Sequence, residues 1–380
     1  VLLGLLIALP ALGTDLFVPA LPALTEALGA EVGAAQLTMT LYFIGLAAGQ
    51  LLWGPLSDRY GRKPVLVSGL AVMLAASGAA LLAESLAAVI AARLAQGLGM
   101  SSGALIGRTI VRDLYAHEQA AKLLASMTIV FSVVPIAAPL SGGVLADAVG
   151  WPAVFGALAA FAAALLVAVA FLRETAPAAP PTRPGLLSSF GAILRDRRFL
   201  APYSLLLCTQ IGVLAWVSSS SFALISGLGV GPTAYGAMFT LVMSGQIVGA
   251  WVSSRLVLRL GIARMLRAGS ALAFAGGAAA ALLAWAGVVH WAALVAPFGL
   301  FLFGAALVVP NATAAAMAPF PAAAGAVSSL IGTIGFAAGA LISAALGAAF
   351  DGSARPMATV AALAGAGAFL FDRLARRGKA

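Results

Sequence analysis

Apolar positions in this chain gather into long runs divided by short polar joints, and the strict alternation of a membrane β-barrel is absent. A helix needs about 20 mostly apolar residues to cross a bilayer. Runs of that length place helices near 1–24, 35–56, 64–83, 86–110, 120–145 and 151–172. A second set falls near 199–225, 233–254, 264–286, 290–312, 322–349 and 356–374. The pattern predicts an all-α membrane protein of about twelve transmembrane helices. It divides into six-helix halves, 1–172 and 199–380, joined by the longest polar stretch, 173–198.

The joints carry the charge. Arg59, Arg62 and Lys63, then Arg108, Arg112 and Lys122, then Arg173 through Arg198 alternate with joints holding Glu26, Glu31, Glu84, Asp147 and Asp351. Arg255, Arg259, Arg264, Arg267, Arg373, Arg376, Arg377 and Lys379 continue the basic series, and Arg355 is the one basic residue on the acidic side. Basic loops stay on the cytoplasmic side, so both termini are expected there and the number of spans is even. Within 173–198, residues 176–184 read as a Pro/Ala linker. Leu186, Leu187, Phe190, Ile193 and Leu194, with Arg195, Arg197 and Arg198, suit a short helix on the inner leaflet; a plain solvated linker is the other reading. Val1 already lies in an apolar run, so a few preceding residues are expected, and nothing there has the pattern of a cleaved signal.

Composition agrees. The 380 residues are 62% hydrophobic and 9% charged, with mean hydropathy +1.08, against about 25% charged in soluble domains. That excludes an ordinary soluble enzyme. The formal charge of +9 is a topology signal confined to one set of joints and not a nucleic-acid footprint. Cys208 is the single cysteine, so neither a disulfide framework nor a cysteine metal site is available. Forty-three glycines suit close helix packing.

A shift of 200 residues superposes Leu41, Gly45, Gly49, Arg59 and Gly61 on Leu241, Gly245, Gly249, Arg259 and Gly261. The same register equates the second and eighth runs. Two parallel halves of this kind are a transporter architecture with a site near the bilayer midplane.

Gly54-Pro55-Leu56-Ser57-Asp58-Arg59-Tyr60-Gly61-Arg62-Lys63 resembles the helix 2–3 loop signature of the major facilitator superfamily. Arg93-Leu94-Ala95-Gln96-Gly97-Leu98-Gly99 resembles its helix 4 motif. Val134-Pro135 through Ala138-Pro139-Leu140-Ser141-Gly142-Gly143 is similar to its antiporter helix 5 motif, with Ala138 in place of a glycine. Asp15-Leu16-Phe17-Val18-Pro19-Ala20-Leu21-Pro22 and Arg108-Thr109-Ile110-Val111-Arg112-Asp113 resemble the Bcr/CflA branch, associated with bicyclomycin and chloramphenicol resistance. The resemblance implies a drug:proton antiporter of the bacterial inner membrane, driven by the proton gradient without a cofactor. It implies gating by Asp58, Arg59, Gly61, Arg62 and Arg112 at the loop, where Asp58 can meet an arginine or a helix N-terminus when the gate is shut.

Asp15 and Arg93 are the ionisable residues deep in the expected spans, each about 10 Å below one surface. An intramembrane charge is a functional candidate by default. A static ion pair is one reading. The other makes Asp15 the proton and substrate switch and Arg93 its tuner, because desolvation and a guanidinium act in opposite senses on a carboxyl group. Met39, Tyr42, Gln96, Gln210, Trp216, Gln246, Asn311 and Phe336 are the candidate pocket walls, an aromatic, thioether and sparsely polar mix suited to lipophilic ligands. Helix–helix packing is the plainer role for each. Pro135 and Pro139 are expected to kink the fifth helix, with Gly142 and Gly143 packing closely at the bend and controlling closure toward the outside. The spans hold no catalytic constellation and no metal set, and His117 and His290 lie in joints, so an enzyme is not expected. Lipophilic small molecules, protons and membrane lipid are the expected partners, and one chain can act as a monomer. An exporter of a small polar metabolite, such as a sugar or amino acid, is the alternative.

Overall fold

A computed structural model of the chain describes residues 1–114, 117–176 and 186–377, with side chains described over the same ranges except at 112, 117–132, 186–189, 322, 376 and 377. Residues 177–184 of the expected 176–184 linker, the side chains of Arg112, His117, Lys122, Leu186, Leu187, Arg376 and Arg377, and Lys379 lie outside the described residues.

The described chain is helical throughout. Helices α1 (Leu2–Asp15), α2 (Leu21–Ala27), α3 (Val32–Tyr60), α4 (Arg62–Leu81), α5 (Leu86–Leu114), α6 (His117–Ala148) and α7 (Pro152–Ala170) come first. A short α8 (Leu186–Ile193) precedes α9 (Arg197–Ser221), α10 (Pro232–Leu260), α11 (Ile262–Trp285), α12 (Ala292–Met317), α13 (Ala324–Ala348) and α14 (Arg355–Arg377). Among the described residues, eleven helical segments are long and apolar enough to cross a membrane, and α6 adds a shorter apolar stretch over Val133–Ala148. The first crossing, Leu2–Ala27, is not the single helix its hydropathy suggests. It is α1 and α2 separated by a 3-10 turn at Val18–Ala20, where Pro19 and Pro22 supply no N–H to a continuous ladder.

Two compact units emerge. One comprises Val1–Arg183 with Gly231–Gly236, and the other Pro184–Val230 with Ala237–Ala380. In the first, α5 packs on α1, α3 and α4, and α1 also meets α6. In the second, α9 packs on α12, α13 and α14, and α11 on α12 and α14. The short α8 joins the second: Ile193 is buried with Phe199, Tyr203 and Leu330, and Phe190 packs against them.

The 200-residue repeat is visible in backbone terms. Helices α3 and α10 both run 29 residues and end at Gly61 and Gly261, whose φ values are +98° and +77°. That region favours glycine. A Cβ at Gly49 would stand 3.0 Å from the Leu98 carbonyl of α5, and one at Gly249 would stand 2.6 Å from the Phe303 carbonyl of α12. Small residues at equivalent positions let equivalent helices touch.

Candidate functional site

Asp15 is the last residue of α1, and the hydrogen-bond ladder changes step beside it. The Leu16 N–H still donates to the Leu12 carbonyl (3.1 Å), but the Phe17 N–H donates to Thr14 (3.1 Å), the three-residue spacing of a 3-10 turn. The Gly13 carbonyl, which Phe17 would have used in a regular helix, is released. Arg93 of α5 takes it, donating from one terminal nitrogen at 3.0 Å.

The rest of the guanidinium is held almost entirely by neutral groups. The same nitrogen donates to Oε1 of Gln96 at 2.5 Å, and the other lies 3.6 Å from the Met39 sulfur. The rings of Phe17 and Tyr42 enclose it, with centroids 4.3 and 4.0 Å from Cζ. Such stacking contributes about 2 kcal/mol when desolvated. Arg93 is fully buried, and its Nε finds no acceptor among the described residues. Gln96 donates onward to Ser77 (2.8 Å), and the Tyr42 hydroxyl donates to the Pro10 carbonyl (2.8 Å). A Cβ at Gly13 would overlap that hydroxyl and the Met100 sulfur.

Asp15 is 4% exposed and accepts from the Thr14 hydroxyl at 2.9 Å. No described Lys, Arg or His nitrogen comes within 4.0 Å of it. Asp15 and Arg93 share a neighbourhood, both acting electrostatically on Tyr42, yet they form no ion pair. The static ion pair is therefore absent from this arrangement, because the freed Gly13 carbonyl is the nearer acceptor. Gly142 of α6 closes the site from behind: a Cβ there would overlap the carbonyl oxygen of Leu16, the residue after Asp15.

Five candidates thus converge in the first unit: Asp15, Met39, Tyr42, Arg93 and Gln96. The second unit keeps its candidates apart. Trp216 of α9 is fully buried against Phe298 (4.8 Å) and Phe239 (6.0 Å), with no acceptor for its indole N–H among the described residues. Gln210 of α9 lies beside Gly335 of α13, next to the half-buried Phe336, and its Oε1 is likewise unpartnered. Asn311 donates to Ser253 (2.9 Å) and to the Leu307 carbonyl (2.8 Å), which ties α12 to α10. Gln246 is half-buried on α10.

At the α3–α4 corner, Arg62 is 3% exposed and donates to Asp58 (2.5 Å), Ser57 (2.9 Å) and Asp113 (2.9 Å). Glu174, beyond α7, accepts from the N–H groups of Arg62 (2.9 Å) and Lys63 (3.1 Å), capping an α4 that has no cap of its own. Burial pushes the Glu174 carboxyl up, but the N–H groups of Ala176, Arg62, Thr175 and Lys63 outweigh it and hold it below the ordinary glutamate range. Arg59 is exposed over Tyr60. At the far end of α6, Asp147 accepts from the Thr233 N–H (2.9 Å) and its hydroxyl, and a Cβ at Gly143 would overlap the Pro232 carbonyl. Pro135 and Pro139 lie within a helix that runs unbroken from His117 to Ala148.

Several groups escaped sequence reasoning. Phe17 and Thr14 flank the acid but carry no charge to flag them. Ser221 and Thr333 of the second unit have hydroxyls without a partner among the described residues, and serine or threonine in a span reads as ordinary. Asp372 is 5% exposed, although its place beside Arg373 reads as the polar tail of the last helix. Asp113 and Glu174 needed knowledge of which helix ends meet.

The family model of the Major Facilitator Superfamily matches residues 3–344. Multidrug resistance protein D of Escherichia coli is 30% identical over 87% of this chain and 84% of its own. The bicyclomycin resistance protein homolog of Haemophilus influenzae is 28% identical over 93% and 90%. A partially occluded inward-open structure of the E. coli xylose transporter XylE shares the fold with a TM-score of 0.75 at 12% identity, over 97% of this chain and 96% of that one. This chain belongs to the Major Facilitator Superfamily, in the Bcr/CflA branch that its Asp15–Pro22 and Arg108–Asp113 runs resemble.

Proposed function

We propose that this transport protein exports lipophilic drugs in exchange for protons by alternating access, with Asp15 as the protonation and substrate switch. The names of its relatives, which include multidrug and bicyclomycin resistance proteins, support drug efflux. One observation carries the mechanism: Asp15 is a buried acid with no cationic partner among the described residues, while Arg93 is held one turn-step away by a carbonyl that the helix break releases.

In this reading the drug favours ionised Asp15, the halves rock, and a proton from outside then binds Asp15 and releases the drug. Small movements of the Phe17–Ala20 turn would restore the regular ladder, reclaim the Gly13 carbonyl and free Arg93 to approach Asp15. Met39, Tyr42 and Gln96 line the switch, and Gln210, Trp216, Gln246, Asn311 and Phe336 are the wall candidates of the second unit. Asp58, Arg59, Gly61, Arg62 and Arg112 gate one side, and Pro135, Pro139, Gly142 and Gly143 the other. Both termini are cytoplasmic, 173–198 is the connector between the six-helix halves, the membrane is the bacterial inner membrane and the unit of function is a monomer. No cofactor enters; one charge crossing 100 mV supplies about 2.3 kcal/mol.

Proteoliposomes with an imposed pH gradient and a panel of antibiotics including a phenicol test this. Drug-triggered proton movement that Asp15→Asn abolishes is the expected result; drug-driven flux surviving in Asp15→Asn would remove the switch. A polar-metabolite exporter is the second reading, favoured by the unpartnered Gln210, Ser221 and Thr333 oxygens. Response to a sugar or amino acid with none to any drug would select it.

A further inference from the structure

The second unit has a cavity of about 160 Å³ at the end away from α8, where α9 and α11 finish and α14 begins. Ala223, Ala284, Val288, Leu294, Ser353 and Arg355 are among its walls. Drug-sized ligands occupy pockets of about 300–1,000 Å³, so this cavity does not suit the exported molecule. It suits something the size of a headgroup.

Arg355 is the charged residue of its wall, and Asp351 stands one residue before the lining segment Gly352–Arg355. Arg355 lies over the Trp285 ring at 5.2 Å, and its Nε donates weakly to the Ala284 carbonyl at 3.5 Å. Neither terminal nitrogen of Arg355 donates to any described residue. Trp285 is fixed in turn, its indole N–H donating to Thr359 at 3.0 Å. Asp351 is exposed and accepts from the Ser353 N–H (3.0 Å) and hydroxyl (2.7 Å). Asp351 and Arg355 act on each other electrostatically but do not come within 4.0 Å. Each charge is positioned by neutral groups, and neither consumes the other.

The surroundings are apolar and open. Leu282, Trp285 and Val289 are 72%, 62% and 78% exposed where α11 ends. Exposed tryptophan and aliphatic residues at the end of a spanning helix mark the headgroup level of a bilayer. An apolar rim at that level meets acyl chains, and Asp351 and Arg355 belong to the connection between α13 and α14.

We propose that this cavity is a headgroup site for a zwitterionic aminophospholipid, its phosphate on Arg355 and its primary ammonium on Asp351. A guanidinium with free terminal N–H groups matches phosphate oxygens, and a carboxylate accepts from a primary ammonium but cannot hydrogen-bond a quaternary one. A phosphatidylglycerol headgroup satisfies Arg355 and leaves Asp351 facing a diol. A phosphatidylcholine headgroup leaves Asp351 without a donor. The order ethanolamine over choline or glycerol follows.

Native mass spectrometry of the purified full chain, titrated in detergent with phosphatidylethanolamine, phosphatidylcholine and phosphatidylglycerol, reads that order directly. Wild type is expected to retain phosphatidylethanolamine about fivefold more tightly than either competitor, the ratio of one exposed charge pair. Asp351→Asn should erase the preference while leaving phosphatidylglycerol retention unchanged. Arg355→Gln should weaken phosphatidylethanolamine and phosphatidylglycerol alike, with partial rescue in Arg355→Lys. Equal retention of the three lipids by wild type overturns the site, as does an unchanged preference in Asp351→Asn, whose exposed position makes loss of folding an unsuitable explanation. Displacement of the lipid by equimolar free phosphoethanolamine overturns the lipid assignment in favour of a soluble zwitterion.

Discussion

Arg93 donates to the carbonyl of Gly13 at 3.0 Å, and not to the carboxylate of Asp15 two residues further along. This buried arginine is thus tied to a backbone oxygen that exists as a free acceptor because Phe17 bonds to Thr14. The position of the cation and the step of the helix are one variable.

Replacing the arginine separates its charge from its shape. Arg93→Lys keeps a positive charge but loses the planar stack between Phe17 and Tyr42 and the two-nitrogen reach to Gly13, Gln96 and Met39. Drug-triggered proton flux should fall at least about tenfold, since each lost hydrogen bond to a charged group is worth about 1.5–3 kcal/mol. Flux measured in the same proteoliposomes decides it: wild-type coupling in Arg93→Lys would mean that the charge alone matters.

Gly142 admits the Leu16 carbonyl where a side chain would stand. Gly142→Val must push α6 away from the α1–α2 break, an overpacking cost of about 1–3 kcal/mol, and should lower both the melting temperature and transport. Gly325, which has open space around it, provides the control: Gly325→Ala should change neither. Equal behaviour of the two variants in thermal unfolding would deny α6 its place against the break.

The two repeat corners make a matched comparison. Gly61 and Gly261 share the left-handed region, so alanine at either costs about 1–2 kcal/mol. Only at Gly61 would the new methyl also stand 2.7 Å from the Glu174 carboxylate, while Gly261 faces open space. Gly61→Ala should therefore be the more destabilising of the two in a thermal melt, and the excess should vanish in a Glu174→Ala background.

Acid should loosen that same corner. The folded-state carboxyl of Glu174 is held below its unfolded value, so its contribution is fully present above the ordinary glutamate range and is lost as pH falls through the folded value. Protection of the Arg62 and Lys63 amides, taken against the intrinsic exchange rate at each pH, should fall in wild type as pH drops below the ordinary glutamate range. In Glu174→Gln, which cannot titrate, protection should be reduced already at neutral pH and flat on acidification. A wild-type profile that stays flat through that window would separate the cap from the carboxylate's charge.

The spans were legible because hydropathy asks only for length, and the repeat because Gly45, Gly49 and Gly61 recur 200 residues later with the same backbone work to do. Asp15 and Arg93 were legible as isolated charges in apolar runs. Their relationship was not, since equal depth suggested a pair and the freed Gly13 carbonyl depends on a single change of hydrogen-bond spacing at Phe17. Glu174 stayed hidden for a related reason: it caps a helix 112 residues away, through contacts that only the folded ends of α4 and α7 create. In the second half, Asp58 and Arg62 correspond to Leu258 and Ile262, so the same glycine turn carries no charge network there. Repetition preserved the bend and discarded the electrostatics.

Trp216 gives the sharpest test of the second unit. Its ring is packed against Phe239 and Phe298, yet its N–H has no acceptor among the described residues although the residue is fully buried. An unsatisfied buried donor costs about 1–3 kcal/mol, a cost that a ligand oxygen would remove. Trp216→Phe retains the aromatic packing and deletes the donor, so stability should hold or rise. Affinity for drugs that carry a carbonyl or nitro acceptor should fall up to about tenfold, the worth of one neutral hydrogen bond, while purely hydrophobic cations should bind as before. Trp216→Ala, by contrast, empties the cluster at about 3–5 kcal/mol and should weaken every substrate through loss of folding. Binding isotherms for an acceptor-bearing and an acceptor-free drug, measured on Trp216→Phe, separate a ligand donor from a packing residue: parallel isotherms with wild type for both drugs would leave Trp216 to packing alone.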